Sequence, residues 1–432
     1  MKITVVGTGY VGLVSGACFS DIGHNVTCID IDQEKIEKLE KGVIPIFEPG
    51  LDVLVKNNVE AGRLTFSTSL KDNLKGAEAV FIAVGTPSAK DGKADLQYVY
   101  AVAEELAENL SSYTVVVNKS TVPVGTGREV ENIIKKKYKG EFDVVSCPEF
   151  LREGSALKDF MKSDRVVIGV RTEKSKKVML DIFAPIKCEK VVTTVESSEL
   201  IKYTSNAFLA TKISFINEIA HICEKAGADI KEVAHGVGLD KRIGPKFLKA
   251  GIGWGGSCFP KDVKALDQIA GSHGYDFKLL KSVIEVNQHQ RQHFVDKVKK
   301  HFKDLKGRKF GVLGLAFKGN TDDIRESAAI DIIQRLVKEG AEVDAFDYEA
   351  TENAKKILED TITYYDDPYK AVADNDAVLL VTEWPQFLDL DWRQIKQSLN
   401  NPVLFDGRNH LDPEKMREIG FTYYSVGQNH EI

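Results

Sequence analysis

The first twelve residues restrict this chain more than any others. Lys2-Ile3-Thr4-Val5-Val6 has the apolar, β-branched character of a buried strand. Gly7-Thr8-Gly9-Tyr10-Val11-Gly12 follows at once and opens a helical stretch. A GxGxxG run alone is a weak pattern, but between a strand and a helix it prescribes the first turn of a parallel β-α-β unit. Gly7 permits a tight turn, Gly9 lets a pyrophosphate approach the helix N-terminus, and Gly12 allows the helix to sit close on the strand. Asp30 lies 18 residues beyond Gly12, at the end of the next apolar run, where a carboxylate hydrogen-bonds a ribose 2′-hydroxyl and repels a 2′-phosphate. The segment reads as a site for NAD rather than NADP.

The same rhythm continues. Apolar runs at Ile3–Val6, Val26–Ile29, Ala79–Val84, Thr114–Val117, Asp143–Ser146 and Val166–Val170 alternate with amphipathic segments such as Gln97–Leu110 and Arg128–Lys137. This predicts a doubly wound, mostly parallel α/β sheet. Near residue 195 the period changes: Leu200, Tyr203, Ala207, Ala210, Ile213, Ile216, Ile219, Ala220 and Cys223 recur at helical spacing, giving a long helix from Glu196 to Ala226 closed by Gly227. A second helix is expected from Lys278 to about Phe302. Strand-like runs resume at Lys309–Leu315, Ala341–Phe346, Ala377–Val381 and Val403–Phe405. The expected fold is therefore α/β, with Rossmann-like doubly wound domains at 1–194 and 306–432 joined by a mostly helical central domain at 195–305.

Composition narrows the function. The 432 residues carry 58 basic and 64 acidic side chains, a net charge of −6, which argues against a broad surface for nucleic acid or anionic membrane. Neither signal-peptide anatomy nor a membrane-length apolar run is present, so a cytosolic location is expected. The six cysteines are scattered, which suits reduced thiols better than a disulfide framework or a zinc site. Cys18, Cys28 and Cys223 sit among apolar neighbours as small core residues.

Cys258 differs. It lies in Gly253-Trp254-Gly255-Gly256-Ser257-Cys258-Phe259-Pro260-Lys261-Asp262, framed by glycines, an ammonium and a carboxylate, ahead of a helix starting around Pro260. A helix N-terminus or the Lys261 ammonium would favour the thiolate. Lys202 and Asn206, four apart on the long helix, are either a clamp for a developing oxyanion or a solvated face. Glu149 and Glu153 in Pro148-Glu149-Phe150-Leu151-Arg152-Glu153-Gly154 are either acid/base groups or surface charges. The loops Val84-Gly85-Thr86-Pro87 and Lys119-Ser120-Thr121-Val122-Pro123 fall where open α/β sheets bind ligands, though turn chemistry alone also accounts for them. His289 and His293 are four apart without an evident third ligand, so a charged helix surface is preferred to a metal site.

Taken together, GTGYVG, KSTVPVGT, PEFLREG, the Lys202/Asn206 helix, FLKAGIGWGGSCFPKD and GLAFKGNTDDIRES resemble the nucleotide-sugar dehydrogenases of the UDP-glucose/GDP-mannose dehydrogenase family over essentially the whole chain. The resemblance implies oxidation of the C6 alcohol of UDP-glucose to the carboxylate with two NAD and one water. Cys258 would carry a thiohemiacetal and then a thioester. Lys202 and Asn206 would stabilise the oxyanion, while Asp262, Thr121 and Glu149 position or activate water; the first proton goes to Lys202 or to a water held by Asp262. NAD would be met by Gly7, Gly9, Val11, Gly12, Asp30, Lys35, Thr86, Thr121, Glu153, Lys261 and Arg325. UDP-glucose would be met by Glu149, Phe150, Leu151, Arg152, Glu153, Lys202, Asn206, Phe247, Leu248, Lys249, Ala250, Gly251, Gly255 and Lys318, with Arg242 reaching in from the other half of a homodimer. The last domain would bind the uridine diphosphate. Trp254 stands where many relatives carry Phe and keeps the aromatic bulk. A dehydrogenase of UDP-N-acetylmannosamine or GDP-mannose, or a nucleotide sensor without turnover, are the competing expectations.

Overall fold

The computed structural model describes residues 1–89 and 92–428. Packing divides the chain into two compact units, residues 1–205 with 264–275 and residues 206–263 with 276–432, so the residues expected to form a middle domain are shared between them. Among the described residues, no helix is long and apolar enough to cross a membrane.

The first unit holds an eight-stranded sheet built from β1 (Lys2–Val6), β2 (Asn25–Ile29), β3 (Leu64–Ser67), β4 (Ala79–Ile82), β5 (Thr114–Asn118), β6 (Phe142–Ser146), β7 (Arg165–Gly169) and β8 (Glu189–Thr193). Their order is β3-β2-β1-β4-β5-β6-β7-β8. The central strands are buried on both faces because helices cover both. Ile3, Val5, Phe81, Val115 and Val117 enter one core layer, while Val6, Val80, Ile82 and Val116 enter the other. All pairings are parallel except β6 with β7, which meet antiparallel at Ser146 and Gly169. The connection between them carries one short helix, Ala156–Met161, and brings the chain back in the opposite sense.

The second unit repeats the plan with β9 (Lys309–Leu313), β10 (Glu342–Phe346), β11 (Thr363–Tyr364), β12 (Ala377–Leu380), β13 (Val403–Asp406) and β14 (Thr422–Ser425), in the order β11-β10-β9-β12-β13-β14 and parallel throughout. Helix Lys278–Phe302 runs over the expected span, and its Phe294, Val295 and Val298 pack into this unit's core. The long helix runs Val195–Ala226, ending as expected at Gly227, whose φ of +76° suits a glycine. Four strands absent from the sequence reading, β3, β8, β11 and β14, all lie at sheet edges. β4 also stops at Ile82, which leaves Ala83 and Val84 in the ligand-side loop.

Phe19 anchors the first core. It is fully buried, with the rings of Phe81, Phe160 and Phe183 at 4.8, 5.2 and 5.5 Å. Phe19→Ala is expected to lower unfolding free energy by about 3–5 kcal/mol in chemical denaturation.

Candidate active site

The glycine turn of the first unit has the geometry a dinucleotide needs. Gly7 has φ +101°, and a Cβ on Gly12 would lie 1.9 Å from the Gly7 carbonyl oxygen, so a side chain at either position disrupts the turn. Nothing lies within 4 Å of where a Gly9 Cβ would be, which keeps the N-terminus of helix Tyr10–Asp21 open to a phosphate. Val11 sits in that first helical turn. Asp30 Oδ2 accepts from Thr8 N at 2.9 Å, Thr8 Oγ1 at 2.6 Å and Lys35 Nζ at 3.0 Å. Burial pushes its carboxyl up, but these donors and the Asp32 amide outweigh that and hold it below the usual range. The loops after β4 and β5 are tied together: Thr86 Oγ1 donates to the Thr121 carbonyl at 3.1 Å, and Ser120 Oγ to the Val84 carbonyl at 2.6 Å.

In the same unit, Lys202 Nζ meets Glu149 Oε1 at 3.0 Å with both side chains almost wholly buried. The solvated-face alternative for Lys202 therefore fails. Burial raises the Glu149 carboxyl, yet Lys202, the Leu151 amide and Lys119 more than offset it and keep it ionised. Phe150 forms the apolar wall here, with the Arg165 guanidinium 3.9 Å and the Lys202 ammonium 5.3 Å from its ring centroid. Arg152 turns away to a two-point contact with Asp159 at 2.6 and 2.9 Å. Leu151 and Glu153 are half-buried.

Cys258 lies in the second unit, immediately before helix Phe259–Ser272, and its carbonyl accepts the Asp262 amide at 2.9 Å. The thiol is thus at a helix N-terminus, as expected, with Ser257 Oγ 3.5 Å from Sγ. Asp262 is only 1% exposed; its Oδ2 accepts from Asn206 Nδ2 at 2.6 Å and its Oδ1 from Lys261 Nζ at 2.6 Å. The Lys261 ammonium, expected beside the thiol, is thus engaged by Asp262.

The glycine loop of the second unit is pinned by the backbone around it. A Cβ on Gly255 would lie 2.2 Å from the Glu326 carbonyl oxygen. Gly251 N donates to Asn217 Oδ1 at 2.9 Å, and Arg408 spans the Gly253, Phe317 and Val381 carbonyls, each at 2.9 Å. Phe247 adopts φ +65°, an unusual conformation for a bulky residue. A recess of about 350 Å³ follows Leu248, Lys249 and Ala250, with Ile230, Ala234 and Pro245 on its walls. Lys318 lies over Phe317, 5.2 Å from the ring centroid. Arg325 makes a two-point contact with Asp323 at 2.8 Å. Arg242 is 89% exposed and bound to Asp240 at 2.6 Å.

Three further groups came from packing rather than spacing. Glu48, buried in the first unit, accepts from Tyr10 Oη and from the Gly154 and Ala156 amides at 2.7 Å, fastening the loop that follows Glu149. Asp347 is the counterpart of Asp30 at the end of β10. It is 5% exposed, and its oxygens accept the amides of Leu315, Ala316, Glu349 and Ala350 and the Trp384 indole. A carboxylate so fully used has no acceptor left for a ribose diol. His293 pairs not with the exposed His289 but with Glu224 at 2.9 Å and packs at a tilt against His221, ring centroids 4.0 Å apart; the three can bring ligand atoms within 4.8 Å of one another. Burial opposes ionisation of Glu224, but His293, Lys297 and the Gly427 amide draw its carboxyl down to about 2.

Sequence patterns of three domains of the UDP-glucose/GDP-mannose dehydrogenase family match the chain: the NAD binding domain at residues 1–187, the central domain at 196–289 and the UDP binding domain at 311–413. The chain belongs to this family. It is 53% identical over 429 residues to UDP-glucose 6-dehydrogenase TuaD of Bacillus subtilis, covering 99% of this chain and 93% of that protein. It is 51% identical over 436 residues to UDP-glucose 6-dehydrogenase of Rhizobium meliloti, covering 99% and 100%. The solved UDP-glucose dehydrogenase of Pyrobaculum islandicum superposes with a TM-score of 0.93 at 39% identity, over 99% of this chain and 98% of that one. The solved UDP-D-ManNAc dehydrogenase of Pyrococcus horikoshii does so at 0.86 and 27%, over 99% of each. NAD is the cofactor of this dehydrogenase, and the open Gly9 approach with the ionised Asp30 fits it.

The Lys202–Glu149 pair gives a stability test. Lys202→Ala leaves a buried carboxylate unpaired and is expected to cost about 3–5 kcal/mol, whereas Lys202→Met combined with Glu149→Gln recovers most of it. Because the folded-state Glu149 carboxyl is depressed, its contribution is present above its unfolded value and lost as pH falls through the folded one. Denaturation midpoints of the wild type should therefore drop relative to the double variant below about pH 4.

Proposed function

We propose that this chain oxidises the C6 alcohol of UDP-glucose to UDP-glucuronate in two steps, with Cys258 holding the substrate between them. NAD supplies the acceptor for a hydride from C6 twice per turnover. A water held by Asp262 takes the hydroxyl proton in the first step; Lys202, an ammonium against Glu149, can do so only after handing its own proton on. The Cys258 sulfur then adds to the C6 aldehyde, its proton passing to the new oxygen or to solvent, and a thiohemiacetal forms. Loss of the second hydride and of the hydroxyl proton leaves a thioester. Water attacks that carbonyl, the C–S bond breaks, and the thiol and carboxylate are restored.

The observation that carries this reading is the Asn206–Asp262–Lys261 chain of hydrogen bonds in the turn that Cys258 opens. Asp262 orients the Asn206 amide, which with Lys202 stabilises the oxyanion that forms and collapses; one such donor is worth about 3 kcal/mol in a transition state. Glu149 and Thr121 position the hydrolytic water. Thr86, Lys35 and Glu153 accompany Asp30 at NAD, with Lys261 and Arg325. Phe150 through Glu153, Phe247 through Gly251, Gly255 and Lys318 receive the nucleotide sugar. UDP-glucose is preferred to N-acetylated sugars because relatives named for it are the more similar, 53% against 27% identity.

The working form we infer is a homodimer. Phe208, Phe215 and Ile222 recur at sevens along the long helix and are 64, 56 and 59% exposed, an apolar stripe that calls for a cover, and the exposed Arg242 would reach the other subunit's substrate. The six cysteines, none of them in a disulfide, fit a reducing cytosol.

Purified protein should release two NADH per UDP-glucose, read at 340 nm, and little with UDP-N-acetylmannosamine or GDP-mannose. Cys258→Ser should stop uronate formation; an undiminished rate would discard the covalent route. Phe208→Asp with Phe215→Asp should convert a dimer to a monomer in sedimentation.

A further inference from the structure

Glu199 lies on the long helix three residues before Lys202 and is 2% exposed. It reaches a different element: Oε2 accepts the Gly125 amide at 2.7 Å and Oε1 the Gly127 amide at 2.8 Å. These amides open helix Thr126–Lys137, directly after the loop that carries Thr121. The loop is held at its other end by Thr86 on the Thr121 carbonyl and braced by Thr126 Oγ1 on the Pro123 carbonyl at 2.7 Å. The long helix is registered by neighbouring residues as well. Ser198 Oγ donates to the Ser146 carbonyl at 3.0 Å, at the end of the strand that leads to Glu149, and Lys202 meets Glu149 itself. A Cβ on Gly127 would lie 2.6 Å from Val195 Cγ1 and 3.2 Å from Glu199 Oε1, so little slack exists.

We propose that Glu199 is a positioning residue for the reaction, holding the Thr121 loop in register with the helix that carries Lys202. The inference rests on the dehydrogenase reading above. A helix start can be capped by a neutral serine or threonine from its own chain segment at lower desolvation cost. A carboxylate brought from another element does something more, since its two oxygens bridge two amides and lock two elements together. Burial pushes the Glu199 carboxyl up to about 7, with the two amides, and Arg171, pulling against it and Glu196 adding to the rise. Arg171 is itself shared between Glu131 and Glu196, and Arg128 also faces Glu196. Protonation takes up one of the two acceptors, so the lock loosens as pH falls through neutrality.

The test compares wild type, Glu199→Gln and Glu199→Asp for kcat and KM with UDP-glucose and NAD between pH 6 and 9, alongside thermal midpoints and NAD binding by fluorescence. Gln satisfies one amide and opposes the other, and Asp falls short of both. The expected result is a fall in kcat of about tenfold at pH 8 for both variants, with KM for UDP-glucose within about twofold. A wild-type kcat limb near pH 7 is expected to vanish in Glu199→Gln. Hydrogen exchange of residues 121–128 in the wild type serves if the variants do not fold, with protection expected to fall below pH 7. Wild-type kcat and pH profile in Glu199→Gln, a loss of kcat matched only by loss of folded protein, or protection indifferent to pH would each overturn the proposal. A wild type that releases no NADH from UDP-glucose overturns the underlying reading instead.

Discussion

Burying a lysine ammonium is costly unless an opposite charge meets it, and the contact between Lys202 and Glu149 is the constraint on which the first unit's chemistry depends. It fixes the rotation of the long helix against the end of β6, and through that helix the positions of Ser198 and Glu199. The same economy recurs wherever charge is removed from water. Asp262 divides its oxygens between Asn206 and Lys261, Asp30 takes Thr8 and Lys35, and Glu48 takes a phenol and two amides. Each of these acids meets several donors, so its polar atoms are satisfied out of water. Polar groups at these positions therefore set geometry more than they add stability.

Much of the fold was legible because its central strands are buried on both faces and read as unbroken apolar runs. The strands that escaped notice have another physics. β8 reads Glu-Lys-Val-Val-Thr and is mostly accessible, and β14 reads Thr-Tyr-Tyr-Ser. β8 has one neighbour and a partly wet face, so it needs neither an apolar run nor strict alternation, whereas β14 is largely buried but buries tyrosines and a serine, which do not read as an apolar run. The antiparallel step between β6 and β7 was hidden for a similar reason: direction is set by how the connection packs, which residue periodicity does not encode.

The site was legible where chemistry forces residue type and spacing together, as in the glycine turn, Asp30 and the Cys258 loop. It was obscure where a side chain acts across a long gap in sequence. Glu48 meets Gly154 and Ala156 more than a hundred residues away, and Arg408 closes on Gly253 over a similar distance. Neither carries a local pattern. Lys261 shows the complementary failure: proximity in sequence suggested a partnership with the thiol, and Asp262 claims the ammonium first.

The two sheets share a strand order, yet only one acidic residue at the end of a second strand can receive a ribose. Asp347 spends its acceptors on its own backbone and on Trp384, so among the described residues the glycine turn with Asp30 is the cradle for a dinucleotide. A four-electron oxidation run through a single cradle has to pause halfway while spent cofactor leaves and fresh cofactor enters. During that exchange a free aldehyde would be lost to solvent. The covalent retention on sulfur proposed above would thus be a matter of timekeeping as much as of reactivity, holding one half-finished molecule in place across two successive visits of the same coenzyme.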